Sequence, residues 1–537
     1  MRFVRLPFAL TLLFVLTGCP SPVIPIDPTG PVRAWTAGPL ERVGLESAPG
    51  PSRNAELFAA RGESEAFQVV LTGDRGVKGA SLEVSDLRGP NGAVIGGQNI
   101  SLYRQHYVQI TDPSPSFAGS PNRSQGPGWY ADALIPFSDP STGRPLSGGR
   151  FQAVPVDVQP GRNQPFWVEV SVPRNAAAGR YLGSYRLSSV NGTLEGQISL
   201  TVWNFELPLR PSVQSFFPLW NLKTRAARAE LLRNRLMPGR VEPAEVREFA
   251  DRYGMNYIDL GIWSGANAET CRARSAPSVA EFQAASQARQ VGVPVYNFAF
   301  DELDVCDQRG INLLPDIRNW SRNMRVAGVG HMSTLHPRRE LLEGESGRPL
   351  VDIFSVNAEM YSEAQRSGLL EAARQRGSSF WYYTALINRD TPYAPQWLLD
   401  YSPMNFRVSS GVLLYNLGLT GFFGWAADYY DASWQRRQDP WTDVRYFNAN
   451  RAFNGDGLWF YPGDAVGMPT SLVPSLRVKW LRDGIEDYEY LRLIRERGLS
   501  IRLGTAAEEL ARSMADWEKN PARLEAVRRQ MGELLNR

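Results

Sequence analysis

The stretch Val295-Tyr296-Asn297-Phe298-Ala299-Phe300-Asp301-Glu302 predicts an apolar strand that ends on two adjacent carboxylates. Strand periodicity places successive side chains on opposite faces of a sheet. Asp301 and Glu302 can therefore reach one substrate only if the chain turns where the strand ends. This stretch therefore predicts both a strand of the surrounding domain and a candidate pair of catalytic acids.

Short apolar strands of this kind alternate with longer helical stretches after Pro211. Strands are predicted at Ser215–Trp220, Asn256–Trp263, Pro294–Phe300, Gly330–His336, Val351–Val356, Ser379–Ala385, Gly421–Ala426 and Leu458–Tyr461. Helices are predicted between them, at Glu242–Tyr253, Val279–Val291, Tyr361–Arg376 and Pro403–Leu417. The alternation indicates βα units, and eight strands indicate a closed (β/α)8 TIM-like barrel over residues 211–470. An open doubly wound sheet is the alternative, but no G-x-G-x-x-G turn follows the first strand.

The regions on either side of this barrel have different patterns. Residues 33–210 show short runs of two-residue alternation, such as Pro165 to Val172, separated by Gly, Pro and Asn clusters, which predicts a β-sandwich. Residues 471–537 show helical spacing and predict a helical tail that packs on the outside of the barrel. Its helices are expected at Leu476–Arg497, at Thr505–Glu518 and after Asn520-Pro521, an N-cap followed by proline at the first helical position. The fold class is thus multidomain, β plus α/β.

The first residues indicate export. Arg2 and Arg5 precede an apolar stretch that is too short to span a bilayer permanently, so residues 1–18 are predicted to be a signal peptide. Leu16-Thr17-Gly18-Cys19 resembles the bacterial lipoprotein box, which implies lipid attachment at Cys19. An ordinary cleaved signal with an incidental cysteine is the alternative. Residues 19–32 contain several prolines and predict an extended tether, so we expect an extracytoplasmic protein that contacts a bacterial membrane through its lipid anchor.

Composition excludes several classes of partner and chemistry. The chain has 58 basic and 55 acidic residues among 537, a formal charge of +3 without a long basic run, which argues against nucleic acid as a partner. The only histidines are His106, His331 and His336, and no cysteine cluster exists, so we expect no metal and no cofactor. Phosphate-loop and nucleophile-elbow motifs are also missing from the sequence.

The active site of a (β/α)8 barrel forms at the carboxyl ends of its strands, so residues at those positions are the candidates. Asp301 and Glu302 are the candidate catalytic pair. Large aromatic residues near other strand ends can stack on the apolar faces of sugar rings, although core packing is the alternative for each of them. The candidate substrate-binding residues are Trp220, Trp263, Trp381, Tyr382, Tyr383, Trp425 and Asp428.

Several motifs occur in the order found in one enzyme family. These are Asp301-Glu302, Trp381-Tyr382-Tyr383, the run from Gly421 to Ala426, and Asn454-Gly455-Asp456-Gly457. The chain resembles glycoside hydrolase family 123 in these motifs, and the run from Leu481 to Leu491 is similar to the hallmark of the related domain of unknown function 4091. The arginine and acids of that run are expected to clamp the tail helix to the barrel.

The resemblance implies a retaining β-N-acetylgalactosaminidase that uses substrate assistance. Glu302 is then the acid and base, and Asp301 holds and polarises the 2-acetamido group of a carbohydrate substrate. Leu303 stands where the family pattern has proline. Two alternatives remain: a hydrolase of a sugar without the acetamido group, and a non-catalytic lipoprotein that binds glycans.

Cys271 and Cys306 fall in the loops after the second and third predicted barrel strands. These loops are neighbours on the catalytic face of a barrel, and an exported protein meets conditions that permit disulfides. We therefore predict a disulfide that braces the loop behind Glu302. Two unpaired buried thiols are the alternative.

Overall fold

The computed structural model describes residues 26–27, 29–116, 120, 122–344, 347–386, 394–430, 439–448 and 450–537. The predicted signal peptide, Cys19 and the first part of the predicted tether lie outside the described residues. Within those residues, none of the helices combines the length and the apolar character needed to cross a bilayer.

The N-terminal region is a sandwich of two β-sheets. Its strands are β1 (Val32–Ala37), β2 (Ala55–Arg61), β3 (Ser64–Gly73), β4 (Val77–Val84), β5 (Leu87–Arg88), β6 (Val94–Ile95), β7 (Ile100–Ile110), β8 (Gly128–Pro136), β9 (Val156–Val158), β10 (Asn163–Ser171), β11 (Gly179–Ser189) and β12 (Gly192–Glu206). The first sheet has the order β1-β3-β10-β7-β8 and the second the order β2-β12-β11-β4-β9, with β5 beside β11 and β6 beside β5. Residues of β10 alternate between two cores. Phe166 and Val168 pack between the sheets, whereas Trp167 packs on the opposite face, against the C-terminal half of the chain.

The second region contains a parallel sheet that nearly closes into a barrel. Its strands are β13 (Gln214–Phe216), β14 (Ile258–Asp259), β15 (Val295–Asp301), β16 (Gly330–Thr334), β17 (Ile353–Val356), β18 (Ser379–Tyr383) and β19 (Gly421–Phe423). Across the described residues the order is β13-β19-β18-β17-β16-β15-β14, and all neighbouring pairs are parallel. Seven of the eight predicted strands therefore lie in this sheet.

A short irregular segment occupies the gap between β13 and β14. The N–H of Phe217 donates to the carbonyl oxygen of Met237 at 2.8 Å, and the N–H of Asp259 donates to that of Gly239 at 3.1 Å. The prediction of an eighth barrel strand at Leu458–Tyr461 is wrong. Its last two residues belong to β22 (Phe460–Pro462), which forms an antiparallel hairpin with β23 (Leu472–Pro474). That hairpin contacts β8 of the sandwich.

Helices cover the barrel and form most of the tail. They are α1 (Arg225–Arg233), α2 (Pro243–Tyr253), α3 (Val279–Gln287), α4 (Asp304–Gln308), α5 (Leu314–Val326), α6 (Arg339–Leu342), α7 (Ala358–Arg366), α8 (Leu369–Gln375), α9 (Pro403–Ser410), α10 (Val412–Leu417), α11 (Leu476–Glu496), α12 (Ser500–Leu503), α13 (Ala506–Leu510) and α14 (Pro521–Leu535). Further hairpins are β20 (Arg445–Asn448) with β21 (Arg451–Asn454), and β24 (Ala511–Ser513) with β25 (Asp516–Trp517).

Glycines break two of the predicted helices. Gly368, with φ of 73°, separates α7 from α8, and Gly411 separates α9 from α10. The predicted helix Thr505–Glu518 ends at Leu510, and the β24–β25 hairpin follows. Asn520 caps α14 as expected, because its side chain accepts a hydrogen bond from the N–H of Ala522 at 3.0 Å.

The long tail helix α11 packs against the barrel helices α9 and α10 and also against the sandwich. It contacts α9, α10 and α14 as well as β8 of the first sheet. Most of its charged side chains are buried, and ion pairs with oppositely charged groups offset the cost of burying them. Arg477 makes a two-pronged ion pair with Asp132 of β8, and Arg482 lies 2.6 Å from Glu169 of β10.

The same helix is also joined to the barrel. Asp487 accepts hydrogen bonds from Arg407 of α9 at 2.7 and 3.1 Å, and Glu486 lies 3.1 Å from Arg235. Gly484 allows a close approach to α9, because a Cβ atom there would lie 2.3 Å from the carbonyl oxygen of Arg407. The run from Leu481 to Leu491 therefore has a structural role, with partners in both domains.

Candidate active site

Asp301 and Glu302 lie at the carboxyl end of β15, at the mouth of the near-barrel. Thr334 of β16 donates a hydrogen bond from its Oγ1 to Asp301 Oδ1 at 2.5 Å. At Glu302 the backbone turns into the left-handed region, with φ of 48°, while its N–H donates to the carbonyl oxygen of Thr334 at 3.0 Å. A non-glycine residue held there stores local strain, which is common at functional sites. The turn that both acids require is thus present.

A β-bulge in β15 decides which way Asp301 points. Phe298 pairs with Met332, and Phe300 pairs with the next residue of β16, so Ala299 is an extra residue. A bulge shifts the alternation of side chains by one position. Phe298 stacks on Phe423 inside the mouth, whereas the ring of Phe300 packs against α5 on the outer face. Asp301 therefore points inward, whereas an unbroken strand would turn it outward.

Burial and nearby charge raise the pKa values of Asp301 and of a tyrosine that contacts Glu302. Burial raises the pKa of Asp301 to about 6, the negative charge of Glu302 adds to the rise, and the hydrogen bond from Thr334 opposes it. Tyr383 of β18 donates from its hydroxyl to Glu302 Oε1 at 2.6 Å. Burial and the nearby Glu302 hold the pKa of Tyr383 well above its usual value, so this hydroxyl stays protonated and donates. Asn357 donates to the same hydroxyl oxygen at 3.4 Å.

Two neighbouring cavities open beside the two carboxyl groups. Asp301 lines the larger, of about 710 Å³, together with an aromatic wall formed by Phe216, Trp220, Trp263, Phe298, Phe423 and Trp425. Glu302 lines the smaller, of about 340 Å³, together with Asn357, Tyr383, Thr384 and Gln396. The acids therefore stand where an aromatic cavity and a more polar one meet.

The structure brings Trp220, Trp263 and Trp425 to the aromatic cavity, where the sequence predicted substrate-binding residues. Trp263 stacks on Phe298 with ring centroids 5.6 Å apart. Trp425 donates from its indole nitrogen to Asp456 Oδ1 at 3.1 Å. Trp220 is 52% exposed, and its indole donates to the carbonyl oxygen of Trp425 at 3.0 Å. The stacking of Trp263 and the hydrogen bonds of Trp220 and Trp425 fix the three rings before any ligand arrives.

Of the other predicted substrate-binding residues, Trp381 and Asp428 line neither cavity. Trp381 is fully buried below the mouth, 5.1 Å from the ring of Tyr257. Tyr382 lines the polar cavity, and its hydroxyl donates to the carbonyl oxygen of Pro395 at 3.0 Å. Asp428 is fully buried and accepts hydrogen bonds from the backbone N–H groups of Trp220 and Leu222, at 2.6 and 2.7 Å. Asp428 thus holds the loop of Trp220. Of the tyrosines on β18, Tyr383 reaches the catalytic pair.

Sequence reasoning missed three polar residues of the site, Asp259, Thr334 and Asn357. Asp259 ends β14 and lines the aromatic cavity, where burial raises its pKa to about 7. Asn357 caps α7 after β17, since its side chain accepts from the N–H of Met360 at 3.0 Å. All three residues lie at or just beyond strand ends, the positions that singled out Asp301, so the same rule applied to every strand would have found them.

Cys271 and Cys306 form a disulfide in the structure, with Cα atoms 5.4 Å apart. The bond joins the loop after β14 to α4, which begins two residues after Glu302. In the described part of the chain, no group of three histidine, cysteine, aspartate or glutamate side chains is arranged to hold a metal ion.

Comparison with known proteins identifies the family. The model of the glycoside hydrolase 123 N-terminal domain matches residues 46–189, and that of the glycoside hydrolase 123 catalytic domain matches residues 317–494. No curated protein sequence matches the chain.

Solved structures add a match in fold. A family 123 glycoside hydrolase from Clostridium perfringens, studied for glycolipid glycan hydrolysis, is 12% identical, with a TM-score of 0.62 over 94% of this chain and 98% of that one. A β-glucuronidase from Parabacteroides merdae is 7% identical, with a TM-score of 0.23 over 73% of this chain and 49% of that one. A putative α-galactosidase from Bacteroides fragilis is 12% identical, with a TM-score of 0.17 over 57% and 50%.

The last two similarities are too weak to carry an argument. The two domain matches lie in the sandwich and in the C-terminal half of the chain, and together they mark both parts of one enzyme. The chain therefore belongs to glycoside hydrolase family 123 and is a glycoside hydrolase.

Proposed function

We propose that this glycoside hydrolase is a retaining, exo-acting β-N-acetylhexosaminidase of the N-acetylgalactosaminidase type that works by substrate assistance. The observation that carries the proposal is the placement of Asp301 and Glu302 as consecutive residues at the junction of the aromatic and polar cavities. Both acids precede the stretch matched by the catalytic-domain model, so support for their roles comes from geometry and from the resemblance in motifs.

Glu302 acts first as an acid. The oxygen of the substrate's own 2-acetamido group attacks the anomeric carbon, the bond to the leaving group breaks, and Glu302 gives its proton to the departing oxygen. A bicyclic oxazolinium intermediate results. Glu302 then removes a proton from water, whose oxygen attacks the anomeric carbon and reopens the ring. Two inversions at this carbon give net retention, and the substrate supplies the nucleophile that most retaining enzymes take from a second carboxylate.

Asp301 is suited to hold the acetamido group. Thr334 occupies Oδ1, and among the described residues no hydrogen bond is made to the other carboxylate oxygen, which is therefore available to the acetamido N–H. An ionised Asp301 favours the positive charge that develops on that nitrogen during attack. Because the pKa of Asp301 is about 6, the ionised form predominates at neutral pH.

The cavities suit the two parts of such a substrate. Rings of Trp263, Phe298 and Trp425 offer apolar faces to the sugar that is attacked. Asn357, Thr384 and Gln396 offer hydrogen bonds to a polar leaving group beside Glu302. The glycosidic oxygen then lies between the cavities, next to the acid.

Aryl glycosides test the proposal directly. Purified protein is assayed on aryl β-GalNAc, β-GlcNAc and β-galactoside substrates, with Asp301→Asn and Glu302→Gln compared with Asp316→Asn and Glu340→Gln outside the site. We expect turnover of the N-acetylated substrates and little of the galactoside. Loss of the acid should lower kcat about 10²–10⁴-fold.

Other outcomes decide between the alternatives. Equal rates on the galactoside and the GalNAc substrate would show that the acetamido group takes no part. Turnover unaffected by both active-site substitutions would remove the pair from the mechanism. A thiazoline analogue of the bicyclic intermediate should inhibit the wild type competitively and bind the Asp301→Asn variant at least about tenfold more weakly.

We also propose that the protein is exported and anchored to a bacterial membrane through a lipid on Cys19. The lipoprotein-box motif and the proline-rich segment after it support this proposal. A Cys19→Ala variant should move from the membrane fraction to the soluble fraction of the host, and mass spectrometry should detect the acylated cysteine in the wild type. Equal membrane retention of both forms would contradict the anchor.

A further inference from the structure

The direction of Asp301 depends on the bulge at Ala299, so whatever holds the bulge also positions the acid. Backbone groups of β15 at the bulge and next to it lack regular ladder partners. Side chains serve three of them in the structure. Ser264 donates to the carbonyl oxygen of Ala299, Ser333 accepts from the N–H of Phe300 at 3.2 Å, and Asp259 accepts from the N–H of Phe298 at 2.6 Å.

Asp259 takes the place of a ladder partner that β14 does not provide. The ladder between β14 and β15 continues to Leu260, whose N–H donates to the carbonyl oxygen of Tyr296 at 3.0 Å. The chain then leaves the sheet at Gly261, where φ is 70°. The carboxylate of Asp259 joins the two segments at this point. Oδ1 accepts from the N–H of Gly261 at 2.6 Å, and Oδ2 accepts from the N–H of Phe298 on β15.

This carboxylate is costly to bury, which argues against an incidental position. Asp259 is 2% exposed, and the other polar groups near it are the hydroxyl of Tyr257 at 3.5 Å and the more distant guanidinium of Arg289. Its two short hydrogen bonds to backbone N–H groups are its main compensation. A neutral side chain of the same size would fill the space but could not accept from both N–H groups.

We infer that Asp259 is a positioning residue for Asp301, whose carboxylate holds the bulge in β15 that turns Asp301 into the aromatic cavity. The kinetic consequences rest on the role proposed for Asp301, whereas the hold on β15 does not. Asp259 lies in the site without acting on substrate bonds itself. Its removal should therefore impair the alignment of Asp301 more than the binding of the sugar.

The substitution Asp259→Asn tests this inference because it replaces one acceptor oxygen with an N–H₂ donor that faces a backbone N–H. On the aryl N-acetylated substrate that the wild type turns over best, kcat should fall about 10–100-fold while KM changes less than about threefold. Asp251→Asn, on the exposed surface of α2, is the matched control and should keep wild-type kinetics.

A double-mutant cycle separates positioning from a general loss of structure. If Asp259 acts through Asp301, the Asp259→Asn/Asp301→Asn double variant should be no less active than Asp301→Asn alone, within about twofold. Multiplying losses would overturn the inference. Ser264→Ala, which removes another contact to the bulge, should lower kcat in the same direction and less strongly, and it serves if the Asp259 variant does not fold.

Hydrogen exchange gives a result that does not need activity. Amides of the peptide 295–302 should exchange at least about tenfold faster in Asp259→Asn than in the wild type or in Asp251→Asn. Unchanged exchange would overturn the inference even if the protein cleaves none of the aryl glycosides. Wild-type inactivity, or an Asp301→Asn variant as active as the wild type, would instead refute the proposed function while the exchange result stands.

Discussion

Removing the charge of Glu302 should lower the pKa of Asp301. Burial is the larger cause of the rise from 3.8 to about 6, and the charge of Glu302 is the next. That rise corresponds to about 3 kcal/mol against the ionised form. Glu302 is exposed, so its repulsion is screened much as in water, where two neighbouring unit charges repel by less than about 1 kcal/mol. Glu302→Gln should therefore lower the pKa by about half a unit.

The pH dependence of kcat/KM measures this shift, since that parameter reports groups of the free enzyme. A 2,4-dinitrophenyl substrate makes the assay possible, because its leaving group departs without a proton from the enzyme and the variant still turns over. In the proposed mechanism Asp301 acts when ionised. Activity should thus fall as pH drops through about 6 in the wild type, and about half a pH unit lower in Glu302→Gln.

Glu340→Gln on α6 removes an exposed charge away from the pair and should leave the midpoint unchanged. A midpoint in Glu302→Gln equal to that of the wild type would show that the two carboxyl groups do not interact. A midpoint shifted to higher pH would refute the assignment of the acid limb to an ionised Asp301.

Three further predictions concern the cavity and the fold. Trp263→Ala should raise KM for the aryl substrate about tenfold by removing a stacking surface, whereas Trp129→Ala on the sandwich should not, as steady-state kinetics will show. Gly484→Ala should lower the free energy of unfolding by about 2 kcal/mol or more in denaturant titrations because its Cβ meets backbone of α9, whereas Gly38→Ala, with nothing within 4 Å, should be neutral. Arg482→Met should cost about 3–5 kcal/mol in the same titration, because the buried carboxylates it contacts lose a partner. Wild-type values for any of the three would contradict the contacts described.

Local sequence patterns predicted most strands of the barrel and the acidic pair at the end of β15. An apolar run that ends on two acids identified β15 and the pair at its end, since strand-end position follows from the chain alone. Asn520-Pro521 likewise marked the start of α14, because capping depends on neighbouring residues. The disulfide partners followed from which loops adjoin on the catalytic face.

Long-range contacts account for what could not be predicted. Met237 to Arg240 fill the gap in the sheet, yet Pro238 and Gly239 give that segment no strand pattern, and its contacts are to backbone far along the chain. Trp263 and Trp381 both follow apolar strand patterns in the sequence, and only their depth in the barrel separates the half-buried wall of a cavity from a core residue. The bulge at Ala299 has no compositional signal, so the face taken by Asp301 emerges only from the register with β16.

The contacts of the tail helix with the sandwich could not be predicted, for a related reason. Several of its buried charges pair with residues of the sandwich and of the barrel that lie far along the chain. Arg477 bonds to Asp132, which lies 345 positions earlier in the chain. Spacing along one helix cannot indicate a partner that far away.

The position of α11, in contact with both the sandwich and the barrel, also limits where the chain can be truncated. An enzyme trimmed at Pro211 would release Arg477 and Arg482 from their carboxylates and expose the outer face of the first sheet, including Trp167, to water. The sandwich is consequently a wall of the catalytic half and not a detachable carbohydrate-binding module. Unfolding should take the two together in one cooperative step, and truncated versions made for crystallography or screening should precipitate.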